Sequence, residues 1–185
     1  MSGGARSGAS LAILLLAAGC GGNAADPAPR AFDLGIAAPT AKFPSLRVAS
    51  RAVAPFDSPQ MYYRLAWRNP AELADYSHSQ WAAQPADLLR KQVLRSAGEG
   101  VGKCALEIEV QEFTQVFTSK EASEARIEAR VSLATGTARI ASRGLAVVEA
   151  GAGGEAASGA AAMARAADRA LAELAAWVSD QAACR

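Results

Sequence analysis

The stretch CALEIEVQEFTQVF, from Cys104 to Phe117, decides the fold. Its first half alternates between apolar and polar side chains, and the residues expected to point inward are Cys104, Leu106, Ile108 and Val110. An alternation of period two predicts a β-strand with one buried face. The apolar positions then move to Phe113 and Phe117, with Gln115 between them. Such a change of phase predicts a β-bulge near Gln111–Glu112.

Two more strands follow this one directly. EARIEARVSLA, residues 124–134, alternates without interruption, and Thr135-Gly136 predicts a tight turn after it. ARIASRGLAVVEA, residues 138–150, alternates as well, with a shift of phase expected around Gly144. Because each strand has one polar face, the three predict an antiparallel meander that is covered on one side only.

One helix is predicted before the meander in the sequence, and a second helix is predicted after it. Pro85 and Asp87 suit the first turn of a helix, and Gly98 and Gly100 end it. Residues 155–183 predict a long amphipathic helix. The residues of its apolar stripe are Met163, Ala167, Ala170, Leu171, Leu174, Trp177 and Val178.

The segments FPSLRVASRAV (43–53) and QMYYRLAW (60–67) are strand-like. Together with the meander and the helices they predict an α/β fold of the α+β-like kind. We expect a mixed, largely antiparallel sheet with two main helices packed on it, in a single domain.

The N-terminal segment LAILLLAAGCGG, Leu11–Gly22, predicts a signal peptide followed by a lipid anchor. The apolar run is far shorter than the about 20 residues that span a bilayer, but it suits the core of a signal peptide. Its end at Cys20 resembles a bacterial lipobox, which implies cleavage before Cys20 and acylation of that residue. An ordinary secretory signal, with Cys20 as a structural cysteine, is the alternative. Gly21, which is not Asp, favours the outer membrane by resemblance to enteric sorting rules.

These features predict three parts of the chain: a signal peptide (1–19), a lipidated cysteine with a flexible tether (20–31), and a domain (32–185). Removing Arg6 with the signal leaves 18 Lys and Arg against 18 Asp and Glu. A net charge near zero gives no indication of nucleic-acid binding. Cys104 and Cys184 remain, and an oxidising compartment favours a disulfide between them, with two free, buried thiols as the alternative.

The chemical motifs give no catalytic or cofactor site. AGEGVGKC, residues 97–104, lacks the first Gly and the final Ser or Thr of a phosphate loop, and it follows a helix instead of a strand. His78 is the only histidine, so a two-His metal site is excluded, and we expect it in a loop or interface. Glu107, Glu109 and Glu112 predict a solvated or subunit-facing surface. We therefore expect no enzyme activity, cofactor or metal.

Five pieces of the chain carry a resemblance to a known family: FDLG (32–35), MYYR (61–64), ADYSHSQWAAQPADLLRKQV (74–93), LEIEVQEFTQVF (106–117) and a C-terminal helix ending in Trp. In this order they resemble the ABC-type transport auxiliary lipoproteins, the small lipoproteins of Pqi-type MCE (mammalian-cell-entry domain) transport systems. Phe32 departs from the pattern, because many members have Tyr there.

The resemblance implies a lipoprotein of the Gram-negative outer membrane that faces the periplasm. Its implied partners are an MCE-domain protein and an inner-membrane ABC permease and ATPase. The implied cargo is a lipid or another hydrophobic molecule, and a ring-like homo-oligomer is also implied. Within this interpretation the candidate interface or hydrophobic-contact residues are Tyr76, Trp81, Phe113 and Phe117.

Two other hypotheses stay open. In the first, the protein itself binds a hydrophobic ligand in a pocket lined by Phe113, Phe117, Tyr62 and Trp67. In the second, it is an envelope-assembly lipoprotein of another system, such as lipopolysaccharide transport. Aromatic side chains such as Tyr76 and Trp81 serve more often as core anchors than as ligand contacts.

Overall fold

The computed structural model describes residues 28–37 and 39–184. Cys20, the signal peptide and most of the predicted tether therefore lie outside the described residues. The strands are β1 (Arg30–Phe32), β2 (Leu46–Ala52), β3 (Gln60–Leu65), β4 (Ala74–Trp81), β5 (Cys104–Phe117), β6 (Ala122–Thr135) and β7 (Ala138–Ala152). The helices are α1 (Pro85–Ser96) and α2 (Ala156–Ser179), with a short 3-10 helix at Ala182–Cys184. None of the helices in this part of the chain is long and apolar enough to cross a membrane.

All seven strands form one mixed sheet in the order β1-β4-β3-β5-β6-β7, with β2 added to β5. The long meander β5–β6–β7 is antiparallel, as predicted from its alternation. Parallel pairing joins β1 to β4, β2 to β5 and β3 to β5. The predicted α/β class, with a mixed sheet and two helices in a single domain, is confirmed.

The central strand β5 changes neighbours halfway along its length. β2 pairs with its first part, from Cys104 to Val110, and β3 pairs with its last part, from Thr114 to Phe117. The register with β6 shifts between Val110 and Glu112, so the predicted bulge near Gln111–Glu112 is confirmed. Because the bulge inverts the alternation, Phe113 and Phe117 reach the same covered face as Leu106.

The second expected phase shift was placed wrongly. Gly144 pairs regularly with Arg130, and the shift in β7 lies instead where Ala141 and Arg139 face Leu133 and Ala134. Ile140 is the extra residue there, next to the turn, where a bulge adjusts the twist of a tight hairpin.

Both helices cover the same face of the sheet. α1 packs on β2 and β5, and α2 packs on β6 and β7. α1 begins at Pro85, as predicted, because proline has no N–H to leave unpaired in the first turn. The most deeply buried large side chains of the shared core are Phe113, Leu106, Ile127, Leu133 and Met163.

The disulfide is present between Cys104, at the start of β5, and Cys184, in the 3-10 helix after α2. The two Cα atoms lie 5.3 Å apart, and the bond spans 80 residues of chain. It ties the end of the C-terminal helix to the first residue of the central strand. Because the two sulfur atoms are bonded, the alternative of two free, buried thiols does not apply.

The edge strand β7 is capped by arginines of α2. Arg165 donates a hydrogen bond to the main-chain carbonyl of Ala150 over 2.7 Å, and Arg169 donates one to that of Val148 over 3.0 Å. The unpaired carbonyl groups of an edge strand are a template for another strand. The two guanidinium groups occupy part of this template.

Candidate functional site

A groove with a volume of about 340 Å³ opens at the end of the sheet where β3 and β5 finish. Three loops surround it: the segment after β3, the turn between β5 and β6, and the connection from β7 to α2. The residues that line the groove are Tyr63, Leu65, Trp67, Tyr76, Phe117, Ser119, Lys120 and Gly154. This lining is mainly apolar and aromatic, as in sites for small hydrophobic molecules.

Parallel pairing of β3 with β5 assembles the floor of the groove. Tyr63 lies opposite Gln115 and Leu65 opposite Phe117, so these side chains share one face of the sheet. The ring of Tyr63 lies 4.8 Å from that of Tyr76 and 6.0 Å from that of Phe117, the latter edge to face. Edge-to-face contacts of this kind add to the stability of aromatic clusters.

Lys120 brings the one charged side chain to the lining of the groove. Its turn is held by the Ser119 hydroxyl, which accepts hydrogen bonds from the main-chain N–H groups of Glu121 and Ala122. The Lys120 ammonium lies 5.8 Å from the centre of the Trp67 ring, a cation–π distance. Trp67 is 44% exposed, although it is a large apolar side chain.

A series of partly or fully buried hydrogen bonds supports the wall of the groove. The Tyr76 hydroxyl donates to Gln115 Oε1 over 2.8 Å, and Gln115 Nε2 donates to the Ser123 hydroxyl over 2.9 Å. Ser123 in turn donates to the carbonyl of Gly153 over 3.1 Å. Since Gln115 is only 4% exposed, these bonds satisfy an amide that would otherwise be costly to bury. These hydrogen bonds link strands β4, β5 and β6 to the loop before α2.

Burial also fixes the charge state of this wall. Desolvation, with a further contribution from Tyr63, raises the pKa of Tyr76 to about 12. The hydroxyl is protonated at neutral pH, as an ordinary tyrosine is, and the raised pKa extends its role as a hydrogen-bond donor into the alkaline range. No anionic side chain lines the groove among the residues that the structure describes, and Tyr76 does not supply one.

The four predicted contact residues divide into two pairs. Tyr76 and Phe117 lie at the groove. Trp81 and Phe113, at 2% and 1% exposure, pack edge to face with their ring centres 5.2 Å apart in the core. Of the two predicted roles, interface or hydrophobic contact, these side chains have hydrophobic contacts in the core, and Trp81 is a core anchor, because the bulge in β5 and the end of β4 turn them under the helices.

The predicted pocket is also only partly correct. Trp67 and Phe117 line the groove, whereas Phe113 is in the core and Tyr62 packs edge to face against Phe56. Tyr63 was not among the predicted residues, because the neighbouring tyrosines in MYYR point to opposite faces. Lys120 was not among them either. The short turn between β5 and β6 was a signal in the sequence that places Lys120 at the ends of these two strands.

The polar face of the sheet is paired internally. Arg51 donates to both Glu107 and Glu109, and its hydrogen bond lowers the pKa of Glu109. Arg64 holds Glu112 with two hydrogen bonds, of 3.0 and 3.1 Å. The glutamates therefore form ion pairs on the helix-free face, where the side chains of Glu107, Glu109 and Glu112 are 38%, 18% and 15% exposed. That this face is a solvated or subunit-facing surface stays a prediction.

His78 lies exposed in β4 and not in a loop, which corrects one of its two predicted locations. Within residues 28–37 and 39–184, no group of three or more His, Cys, Asp and Glu side chains is placed to hold a metal ion.

The solved structures provide a comparison for this fold. No family model and no curated protein match the sequence. The chain is similar to a crystal structure of a Xanthomonas campestris protein of the family DUF330, with 25% identity and a TM-score of 0.64. That likeness covers 82% of this chain and 91% of the other.

Two further solved structures are less informative than the first, because their sequence identities to this chain are lower. An uncharacterized protein matches with a TM-score of 0.65 over 82% of this chain and 99% of its own, but at 10% identity it supports the fold alone. A Caulobacter crescentus protein provisionally named a lipoprotein matches at 19% identity, over 50% of this chain and 79% of its own. Its TM-score of 0.35 is too low for an inference about fold or function.

Proposed function

We propose that this protein is a non-catalytic lipoprotein that faces the periplasm and serves an MCE/ABC-type system for moving lipids or other hydrophobic molecules between membranes. In this proposal Cys20 carries the acyl chains that anchor the protein to the outer membrane. The domain docks an MCE-domain protein, and ATP hydrolysis takes place in the inner-membrane ABC partner. A ring of several copies forms the docking end.

The observation that carries this proposal is the aromatic groove. An exposed apolar surface of this kind marks a site for a hydrophobic molecule or partner. Tyr76 and Phe117, which belong to the segments that resemble the transport auxiliary lipoproteins, both line it. The lipobox-like segment before Cys20 adds an anchor, and two or more acyl chains suffice to hold a protein stably on a membrane.

A second candidate is favoured by the same groove. Here the protein itself binds the hydrophobic molecule, with no docking role. The two candidates differ in what copurifies: a protein partner in the first, and a small hydrophobic molecule without a transport partner in the second.

The test is affinity purification of the full-length protein from solubilised envelopes, followed by mass spectrometry of the N-terminal peptide and of the copurifying proteins. We expect acylated Cys20 together with an MCE-domain protein, and loss of acylation in a Cys20→Ser variant. The variant His78→Ala should copurify the same partners as the wild type. Acylated Cys20 with a bound lipid but no MCE or ABC component would contradict the docking role and support the second candidate.

A further inference from the structure

We propose that the groove holds one acyl chain of an anionic glycerophospholipid drawn from the membrane that carries the anchor, with the lipid phosphate at Lys120. The source of the lipid, though not the chemistry of the groove, rests on the proposed function, because it requires an acylated Cys20.

The lining of the groove fits a single chain with a charged head. Tyr63, Leu65 and Phe117 form an apolar floor without a charged atom. The volume of about 340 Å³ lies at the small end of the usual range for ligand sites, so it suits one chain better than a whole two-chain lipid. The second chain would stay in the bilayer.

The positive charge of Lys120 at the rim of the groove favours a lipid with an anionic head group. Lys120 is the charged residue of the lining, and the Trp67 ring places its ammonium at the mouth of the groove. A lysine offers three donors to a phosphate group. Tyr76, whose pKa is raised by burial, stays neutral and does not repel an anion.

The described part of the chain begins at the end of the domain that carries the groove. β1 runs parallel to β4, with Arg30 beside Ser79 and Phe32 beside Trp81. Followed backward from Arg30, the same direction leads toward the end of β4 that carries Tyr76 and the groove. Cys20 and Ala28 are eight residues apart, which spans at most roughly 30 Å of extended chain. The anchor therefore keeps the groove within reach of lipid headgroups.

The side chains at the rim are those found at lipid headgroups. Trp and Tyr are enriched at the boundary between membrane and water, and lysines there are attracted to anionic lipids. Trp67, which is 44% exposed, and Lys120 beside it together have both properties, and Trp67 gives an intrinsic probe. Trp81 is in the core, and Trp177 lies near the far end of α2.

The experiment is quenching of tryptophan fluorescence by brominated lipid chains. Full-length protein is anchored in vesicles of phosphatidylethanolamine and phosphatidylglycerol whose acyl chains carry bromine, and it is also titrated with brominated lysophosphatidylglycerol below its micelle concentration. We expect quenching in both cases, and loss of the quenched component in Trp67→Phe. Lysophosphatidylcholine and a brominated fatty acid serve as alternative ligands.

Two variants locate the chain within the groove. Gly154→Leu adds a side chain that points at Phe117, since a β-carbon at this position would lie 3.8 Å from that ring, and it should abolish saturable quenching while Trp67 remains. Lys120→Gln should weaken binding of lysophosphatidylglycerol about tenfold, as expected for the loss of a charge-assisted hydrogen bond, and weaken binding of lysophosphatidylcholine less, because the choline cation already offsets the phosphate charge. Lys42→Gln, an exposed lysine before Phe43, is the matched control and should bind normally.

The outcomes separate the two proposals. Quenching that is unchanged by Gly154→Leu, or stronger binding of the fatty acid than of the lysophospholipid, overturns the groove assignment even if Cys20 is acylated. Unacylated Cys20, with saturable binding of lysophosphatidylglycerol intact, overturns the anchor and the proposed function but leaves the groove assignment standing. Circular dichroism of each variant establishes that it is folded.

Discussion

Gly159 in α2 lies directly against the side-chain amide of Gln115 in β5. A β-carbon at position 159 would fall 2.0 Å from Gln115 Oε1, which is the atom that accepts the hydrogen bond from Tyr76. Gly159→Ala should therefore lower the free energy of unfolding by about 1–3 kcal/mol, as other overpacked cores do. Urea unfolding followed by circular dichroism measures this change.

Gly144→Ala provides the matched control, because nothing lies within 4 Å of a β-carbon there. It should leave the free energy of unfolding unchanged or raise it by about 0.4–1 kcal/mol, because alanine lowers the conformational entropy of the unfolded chain. In a Gln115→Ala background the further loss caused by Gly159→Ala should be smaller than in the wild type, since the clash partner is gone. Equal losses for the two glycine variants would show that the contact with Gln115 is not the cause.

The contribution of Tyr76 to the free energy of unfolding should decrease at high pH. Its folded-state pKa is about 12 against an ordinary value of 10.0, so its contribution is fully present below pH 10 and is lost as the pH rises toward 12. Tyr76→Phe should cost about 1 kcal/mol at pH 8, because it leaves Gln115 Oε1 unpaired. The difference in urea midpoint between the two proteins should shrink between pH 10 and 11.5, and a constant difference would argue against the raised pKa.

Loss of the Cys104–Cys184 disulfide should destabilise the domain strongly. A cross-link that closes a loop of 80 residues restricts the unfolded chain by about 4 kcal/mol in the chain-entropy interpretation. The double variant Cys104→Ser/Cys184→Ser should show a lower melting temperature that reductant does not change further. The wild type should fall to a similar value only in the presence of reductant.

Removal of the arginine caps on β7 should promote association of the chain with itself. Arg165→Ala/Arg169→Ala frees the carbonyl groups of Ala150 and Val148 at the sheet edge. Light scattering after size exclusion should detect, at rising concentration, species heavier than those of the wild type. Asp168→Asn, on the same helix, should behave as the wild type. The absence of heavier species from the double variant would mean that other features protect this edge.

Much of the fold was accessible from local patterns. The alternation in β5 and β6 and the proline at position 85 are signals that a few neighbouring residues carry by themselves. β4 was not assigned, because its exposed positions, such as Ser77 and His78, break the alternation between Ala74 and Trp81. It is a strand because β3 and β1 pair with it on either side.

The groove could be predicted only in part, because it depends on contacts between distant segments. The parallel register of β3 on β5 places Tyr63, and not Tyr62, beside Gln115. No local pattern distinguishes two adjacent tyrosines whose side chains point in opposite directions. Lys120 likewise reaches Trp67 through a contact between two separate turns.

The change of neighbours along β5 divides the domain into parts that can open separately. β1, β3 and β4 join the rest of the sheet through the short pairing of Tyr62–Leu65 with Thr114–Phe117, while the disulfide and both helices secure the other part. Amide hydrogen exchange should then show a local opening of β3 and β4 at a lower free energy than global unfolding. Because Tyr63 and Tyr76 belong to these two strands, such an opening would move part of the groove lining away from Phe117 on β5.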